Sequence, residues 1–397
     1  MGGFRSAQGR AHCERFYWQG GNAGAISLRS SAPPQQYAQP QRFLTIRTRP
    51  ASYTRRIMTR ASSLALALLV PALAATVAPA QQYKILTTDK IGGDGGWDYL
   101  VADSTDRRLY VARSGPTGNL HVYNLDTLAP IGEVPTGTAH GVVIDNATHH
   151  GFATSNPVTM FDTQTLKVIK TIPTGGRPDG YLDDPATHHV YILSHASPNV
   201  TLLDAATGNI LGTLDLGADV EEAALDNHGH LFIDLENKGS IAVVDTAALK
   251  LTGNYDISSQ GGGCAGLAID AVHDILFASC SDKQNMIVLS ATDGKILAVL
   301  PTGAGSDGAR FNPNTLEAFS TQGEGTLAVI KENSPTSFTL EQNLKTEPRA
   351  RTLTLDTTTG HILTATADFG PAPVGAPGQK SRPPMIPGTF RIIVLGK

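Results

Sequence analysis

The chain is poor in charge, thiols and tryptophan. Only 17% of its 397 residues are Asp, Glu, Lys or Arg, and it holds 3 Cys and 2 Trp. No Cys-x-x-Cys pair occurs, which removes the common redox and haem-attachment signatures. There is no phosphate-cradling Gly-x-x-x-x-Gly-Lys loop and no Gly-x-Ser-x-Gly elbow, so nothing signals an NTPase or an α/β-hydrolase nucleophile. Lysine is absent before Gln81, where ten Arg and a single acid, Glu14, are found. The remainder, 21 basic residues against 34 acidic ones, carries a net charge of −13. A domain that acidic repels phosphate backbones, which argues against nucleic-acid partners. What the chain has in quantity is Gly (41) and Pro (24), with 41% hydrophobic residues, a composition for a turn-rich folded core.

One long apolar run exists, Ala61–Val77. It follows Met58-Thr59-Arg60 and precedes Ala78-Pro79-Ala80. A short positive segment, an apolar stretch and a small-x-small site spell a signal peptide over 58–80, with cleavage after Ala80. Residues 1–57 read as a disordered upstream extension, translation starting at Met58. The expected mature protein, 81–397, is a periplasmic or secreted monomer with no membrane span.

Internal repeats set the fold. Second-strand segments recur as RRLYVAR (107–113), HHGFATS (149–155), HHVYILS (188–194), GHLFIDL (229–235), DILFASC (274–280), LEAFSTQ (316–322) and HILTATA (361–367). Each follows a turn residue, Asp103, Asp145, Asp184, Asp226, Asp270, Asn312 or Asp356, at spacings of 39–44 residues. Third-strand segments such as VTMFDT and IAVVDTA alternate in the same frame. Seven units of four short strands at this period predict an all-β fold, a seven-bladed β-propeller. The last unit lacks a fourth strand, and YKILTTDKI (83–91) is expected to supply it, closing the ring and hiding the open edges.

The phrases VPTGTAHGVVID, IPTGGRPDGYLDD and LPTGAGSDGARFN, followed by segments such as VYILSH and LYVARS, resemble the YVTN-repeat (YncE-like) β-propellers over roughly 83–397. The resemblance implies the fold and a binding scaffold with no fixed chemistry.

The first strand of a propeller blade lines the central channel. The residue five before each turn Asp or Asn is Asp98, His140, Asp179, Glu221, Ala265, Asp307 or Arg351, and these are expected to converge on one channel mouth. Facing carboxylates repel, so a cationic occupant is expected. It is a protonated ligand group, Arg351 itself, or one divalent metal (Ca²⁺, Mg²⁺ or Mn²⁺) on Asp98, Asp179, Glu221 and Asp307; a hydrated polar mouth is the simpler reading. The second-strand ends Arg113, Ser155, His195, Glu236 and Gln322 fall at the same face. Cys264 and Cys280, an even pair at neighbouring strand ends of an exported protein, are expected to form a disulfide. His149, His150, His188, His189, His228, His230, His273 and His361 fall at the opposite mouth, as a surface echo of the repeat with equivalent turns too far apart to share a metal. The Pro-rich insertion 368–388 is placed as a lid or docking arm over the acidic mouth. The function expected is binding of a small molecule or cell-envelope protein there. The alternative is a metal-assisted lactonase-like hydrolase or lyase, with His140 as general base and Arg351 stabilising negative charge.

Overall fold

In the computed structural model, residues 81–115, 118–372 and 383–397 are described. The expected signal peptide and upstream extension lie outside them. The described chain forms seven four-stranded antiparallel sheets and one 3-10 turn, Glu236–Lys238. Six sheets are built from consecutive strands. The seventh takes Leu353–Leu355, Ile362–Thr366 and Arg391–Gly396 and adds Lys84–Lys90 from the other end of the chain. The molecule is a seven-bladed β-propeller closed by its N-terminal strand, which pairs from Lys84 with Gly396 to Lys90 with Arg391. Among the described residues no helix is long and apolar enough to cross a membrane.

The hydrophobic core is divided into seven clusters, and each lies between two adjacent blades. The cluster of Trp97, Leu100, Leu109, Phe390 and Ile392 joins the first blade to the last. A sheet sandwiched between two others is buried on both faces, so its inner strands lose period-two alternation and read as near-continuous apolar runs. His189–Ser194 (HVYILS) is buried at every position but the first. One ring per blade, Tyr110, Phe152, Tyr191, Phe232, Phe277 or Phe319, is fully buried in the second strand of blades one to six.

The repeated acid has a local cause. Each carboxylate or amide at the end of a first strand accepts hydrogen bonds from backbone N–H groups two or three residues on: Asp103 from Thr105 and Asp106, Asp145 from Ala147 and Thr148, Asp270 from Val272 and His273. These caps satisfy donors that the hairpin leaves unpaired. The turn then ends in the left-handed region at Arg107, His149, His188, Gly229, Asp274, Leu316 and Gly360. Five of those seven are not glycine, so the hairpin holds side chains in a conformation they adopt reluctantly.

Candidate binding site at the channel mouth

In six of the seven first strands the pairing register slips at the same place. The slips run from Trp97 to Leu100, Ala139 to Val142, Pro178 to Tyr181, Val220 to Ala223, Cys264 to Gly266 and Ser306 to Ala309. Asp98, His140, Asp179, Glu221, Ala265 and Asp307 each lie inside the irregularity, where a bulge re-aims a side chain. Arg351 sits two residues before the seventh first strand.

The charged members join in an arc. His140 Nδ1 lies 2.8 Å from Asp98 Oδ2 and 3.1 Å from Asp179 Oδ1. Asp179 Oδ2 bonds His195 Nε2, which is 3.3 Å from Glu221 Oε1. At the other end Arg351 reaches Asp98 Oδ1 at 3.1 Å and pairs with Asp307. Acid and base therefore alternate from Glu221 through His195, Asp179, His140, Asp98 and Arg351 to Asp307. The arc is interrupted only at the fifth blade, where Ala265 offers a methyl group. His195, which follows the second strand of the third blade and which the sequence places only at this face, is an integral member of the arc.

The expected excess of negative charge is largely matched by these three bases. The hydrogen bond with Asp98 and the charge of Asp179 raise the pKa of His140 against the effect of burial. The bond with Asp179 does the same for His195. Burial would raise Asp179, but His195 and His140 hold it below the ordinary carboxylate value. Glu221 moves the other way: burial first, then the charges of Asp179 and Asp307, push it well above the ordinary carboxylate value. Asp307 is pushed up to about 6 by burial, Arg351 opposing the rise.

A second layer plugs the channel beneath the arc. Glu222 accepts hydrogen bonds from Leu267 N (3.1 Å) and Ala309 N (2.9 Å) and pairs with Arg310 at 2.6 Å. Tyr99 and Tyr181 meet edge to face with centroids 5.6 Å apart. Below this plug a cavity of about 620 Å³ opens toward the turn-side mouth, with Asp183 and Asn146 in its lining.

Cys264 and Cys280 are disulfide-bonded and directly paired across the first two strands of the fifth blade. Arg113 supports the mouth by bonding the carbonyls of Gly96 (3.1 Å) and Asp94 (3.0 Å) while stacking on Phe390. Ser155 turns inward to Pro157 O at 2.7 Å, and Gln322 is fully buried. At the base of the insertion a single bridge sets Phe369 opposite Met385, with Gly370 N bonded to Pro384 O at 2.9 Å and Phe369 packed on Trp97. Of the insertion expected to act as a lid or docking arm, 368–388, residues 373–382 lie outside the described residues.

The fold superimposes on several solved propellers. The WD40 repeats of RRP9 match with a TM-score of 0.63 at 13% identity, over 80% of this chain and 99% of that one. A chain of a mitotic checkpoint complex gives 0.61 at 15% identity, over 77% and 96%, and U3-55K gives 0.61 at 12%, over 79% and 98%. Such identities speak for the fold alone. No family model and no curated relative matches the chain.

Proposed function

We propose that the chain is an exported binding propeller of the YVTN-repeat type that takes a cation at the charged mouth, a divalent metal ion being the smallest that suits it. The observation that carries this reading is Asp179. It belongs to two sets of three donors, Asp98/His140/Asp179 and Asp179/His195/Glu221, whose ligand atoms all lie within 4.8 Å of one another within each set. Carboxylates mixed with imidazole favour Mn²⁺ over Ca²⁺ or Mg²⁺, which prefer all-oxygen shells. Asp307 is the least suited of the expected ligands, because Arg351 occupies it.

The test is elemental analysis of the purified protein after chelator-free dialysis, followed by Mn²⁺ titration. The expected result is metal bound by the wild type with affinity reduced at least about tenfold in Asp179→Asn, since even changes behind a ligand cost that much. Identical metal content and affinity in Asp179→Asn would remove the cation reading and leave the mouth as a docking surface for a cell-envelope protein, to be sought by pull-down.

One observation favours the enzyme alternative. Glu221 and Asp179 both face His195, and their surroundings push the first up and the second down, a split of the kind acid–base catalysis uses. His140, flanked by two carboxylates that hold its proton, fits an acid better than a base. Turnover of lactones or esters lost in Glu221→Gln would establish this reading.

A further inference from the structure

At the opposite end of the molecule the fifth and sixth blades bring together three groups outside the mouth. Asp270 ends the first strand of the fifth blade, and His273 lies in the turn that follows it. Glu332 comes from the third strand of the sixth blade, Thr326–Ser334. His273 Nδ1 is 2.6 Å from Asp270 Oδ2 and 3.0 Å from Glu332 Oε1. One ligand atom from each of the three lies within 4.8 Å of the other two. The third member of this group comes from a strand of the next blade and not from a second histidine turn.

Glu332 is out of keeping with its position. The repeat defines that position by a backbone bond to the residue just before the second strand. Leu125, Thr163, Ala205, Thr246 and Ala291 make it to Arg107, His149, His188, Gly229 and Asp274, and Glu332 makes it to Leu316. Five blades thus place a small, apolar or hydroxyl side chain where the sixth places a carboxylate. It is 1% exposed, and neither oxygen accepts a hydrogen bond from a described residue. The Nδ1 proton of His273 serves Asp270, whose other oxygen caps the turn through Val272 N and His273 N. A buried carboxylate whose one nearby N–H already serves another acid is costly, and a proton or a bound cation removes that cost.

We propose that Asp270, His273 and Glu332 form a metal site that staples the fifth blade to the sixth, taking a divalent first-row transition ion. Two carboxylates and one imidazole supply three donors of the type such ions accept, and His273, about one-third exposed, leaves a side open to water and to the incoming ion. The ion replaces the imidazole proton on Nδ1 and satisfies Glu332 at once. Because this site occupies the rim of two blades and the mouth occupies the channel, either can fail without the other.

The experiment uses chelator-stripped full-length protein, Mn²⁺ as the probe, and two readouts: free Mn²⁺ by electron paramagnetic resonance and the thermal unfolding midpoint. Four proteins are compared: wild type, Glu332→Gln, His273→Asn and the mouth variant Asp179→Asn. The expected result is a Mn²⁺-dependent rise in midpoint that persists in Asp179→Asn, with affinity lowered at least tenfold in both Glu332→Gln and His273→Asn. Glu332→Gln keeps the side-chain shape, and His273→Asn changes a partly exposed turn residue, so loss of folding in one leaves the other to decide. A midpoint rise and affinity unchanged in the folded variants would overturn the proposal. So would Mn²⁺ uptake abolished entirely by Asp179→Asn, or no uptake at all.

Discussion

Four glycines at one level of the channel determine what can fill it. Gly141, Gly180 and Gly308 each follow an arc member and Gly266 follows Ala265, where the first and seventh blades have Tyr99 and Thr352 and the fourth has Glu222. A Cβ on Gly141 would fall 2.2 Å from the Tyr181 ring, and one on Gly266 would fall 2.5 Å from the Gly308 backbone. The missing side chains leave the space that Tyr99, Tyr181, Glu222 and Arg310 occupy, and this plug forms the floor under the charged arc. Gly141 is not in the left-handed region. By chain entropy alone Gly141→Ala would therefore stabilise by a few tenths to about 1 kcal/mol. The clash with Tyr181 outweighs this, and overpacking of this kind costs about 1–3 kcal/mol. Urea denaturation is expected to show a lower midpoint for Gly141→Ala; an unchanged or higher one would mean that the Tyr99–Tyr181 pair moves freely and the floor is not rigid.

The element that carries the break in the arc is the first hairpin of the fifth blade. Its disulfide joins the residue before Ala265 to the end of the second strand. Both sulfurs lie against Gly261, whose added Cβ would be 3.0 Å from Cys280 Sγ. Closing a loop of this length stabilises by about 3 kcal/mol in the chain-entropy model. Cys264→Ala/Cys280→Ala is expected to lower stability by about 2–4 kcal/mol, measured by urea unfolding, with the far-ultraviolet spectrum unchanged. Reductant is expected to shift the wild type toward the double variant and to leave the double variant alone. Much of this hairpin was legible beforehand because repeat and chemistry coincide. The turn acids announce themselves by capping, and counting back five residues lands in the bulge that aims Asp98, His140 and Asp179 inward. His195 was legible as a position but not as a partner, because its role depends on the bulge in its own blade bringing Asp179 to it. Glu332 was not legible at all. Its meaning comes from packing against the neighbouring blade, and nothing in the period of the repeat encodes which turn it will meet.

At the scale of the whole molecule, stability depends on closing a ring whose first and last blades are held by few covalent neighbours. Two fastenings do this beside the apolar cluster between those blades. The N-terminal strand is led in by Tyr83, whose backbone is clamped by the Gln342 amide through two 2.8 Å hydrogen bonds and whose hydroxyl donates to Glu317 at 2.9 Å. On the turn side, Arg107 of the first blade grips Asp356 of the seventh with both oxygens engaged, at 2.7 and 2.8 Å, and Ser104 Oγ adds a third bond at 2.8 Å. Burial alone would raise the pKa of Asp356, but the bonds from Arg107, Thr359 and Ser104 win and hold it well below the usual carboxylate range. A carboxyl whose folded pKa is depressed contributes stability above its unfolded pKa of about 4, and that contribution fades as pH falls below it. Arg107→Ala is therefore expected to cost about 2–3 kcal/mol at pH 7, less than a fully buried pair because the guanidinium is partly exposed. The difference from wild type should shrink steadily between about pH 4 and pH 2, as the wild type loses the same interaction by protonation. Urea midpoints of the two proteins across pH 2–7 measure it. A difference that stays constant down to pH 2 would show that Arg107 acts through packing alone, and would leave the N-terminal strand and the apolar cluster as the fastenings that close the ring.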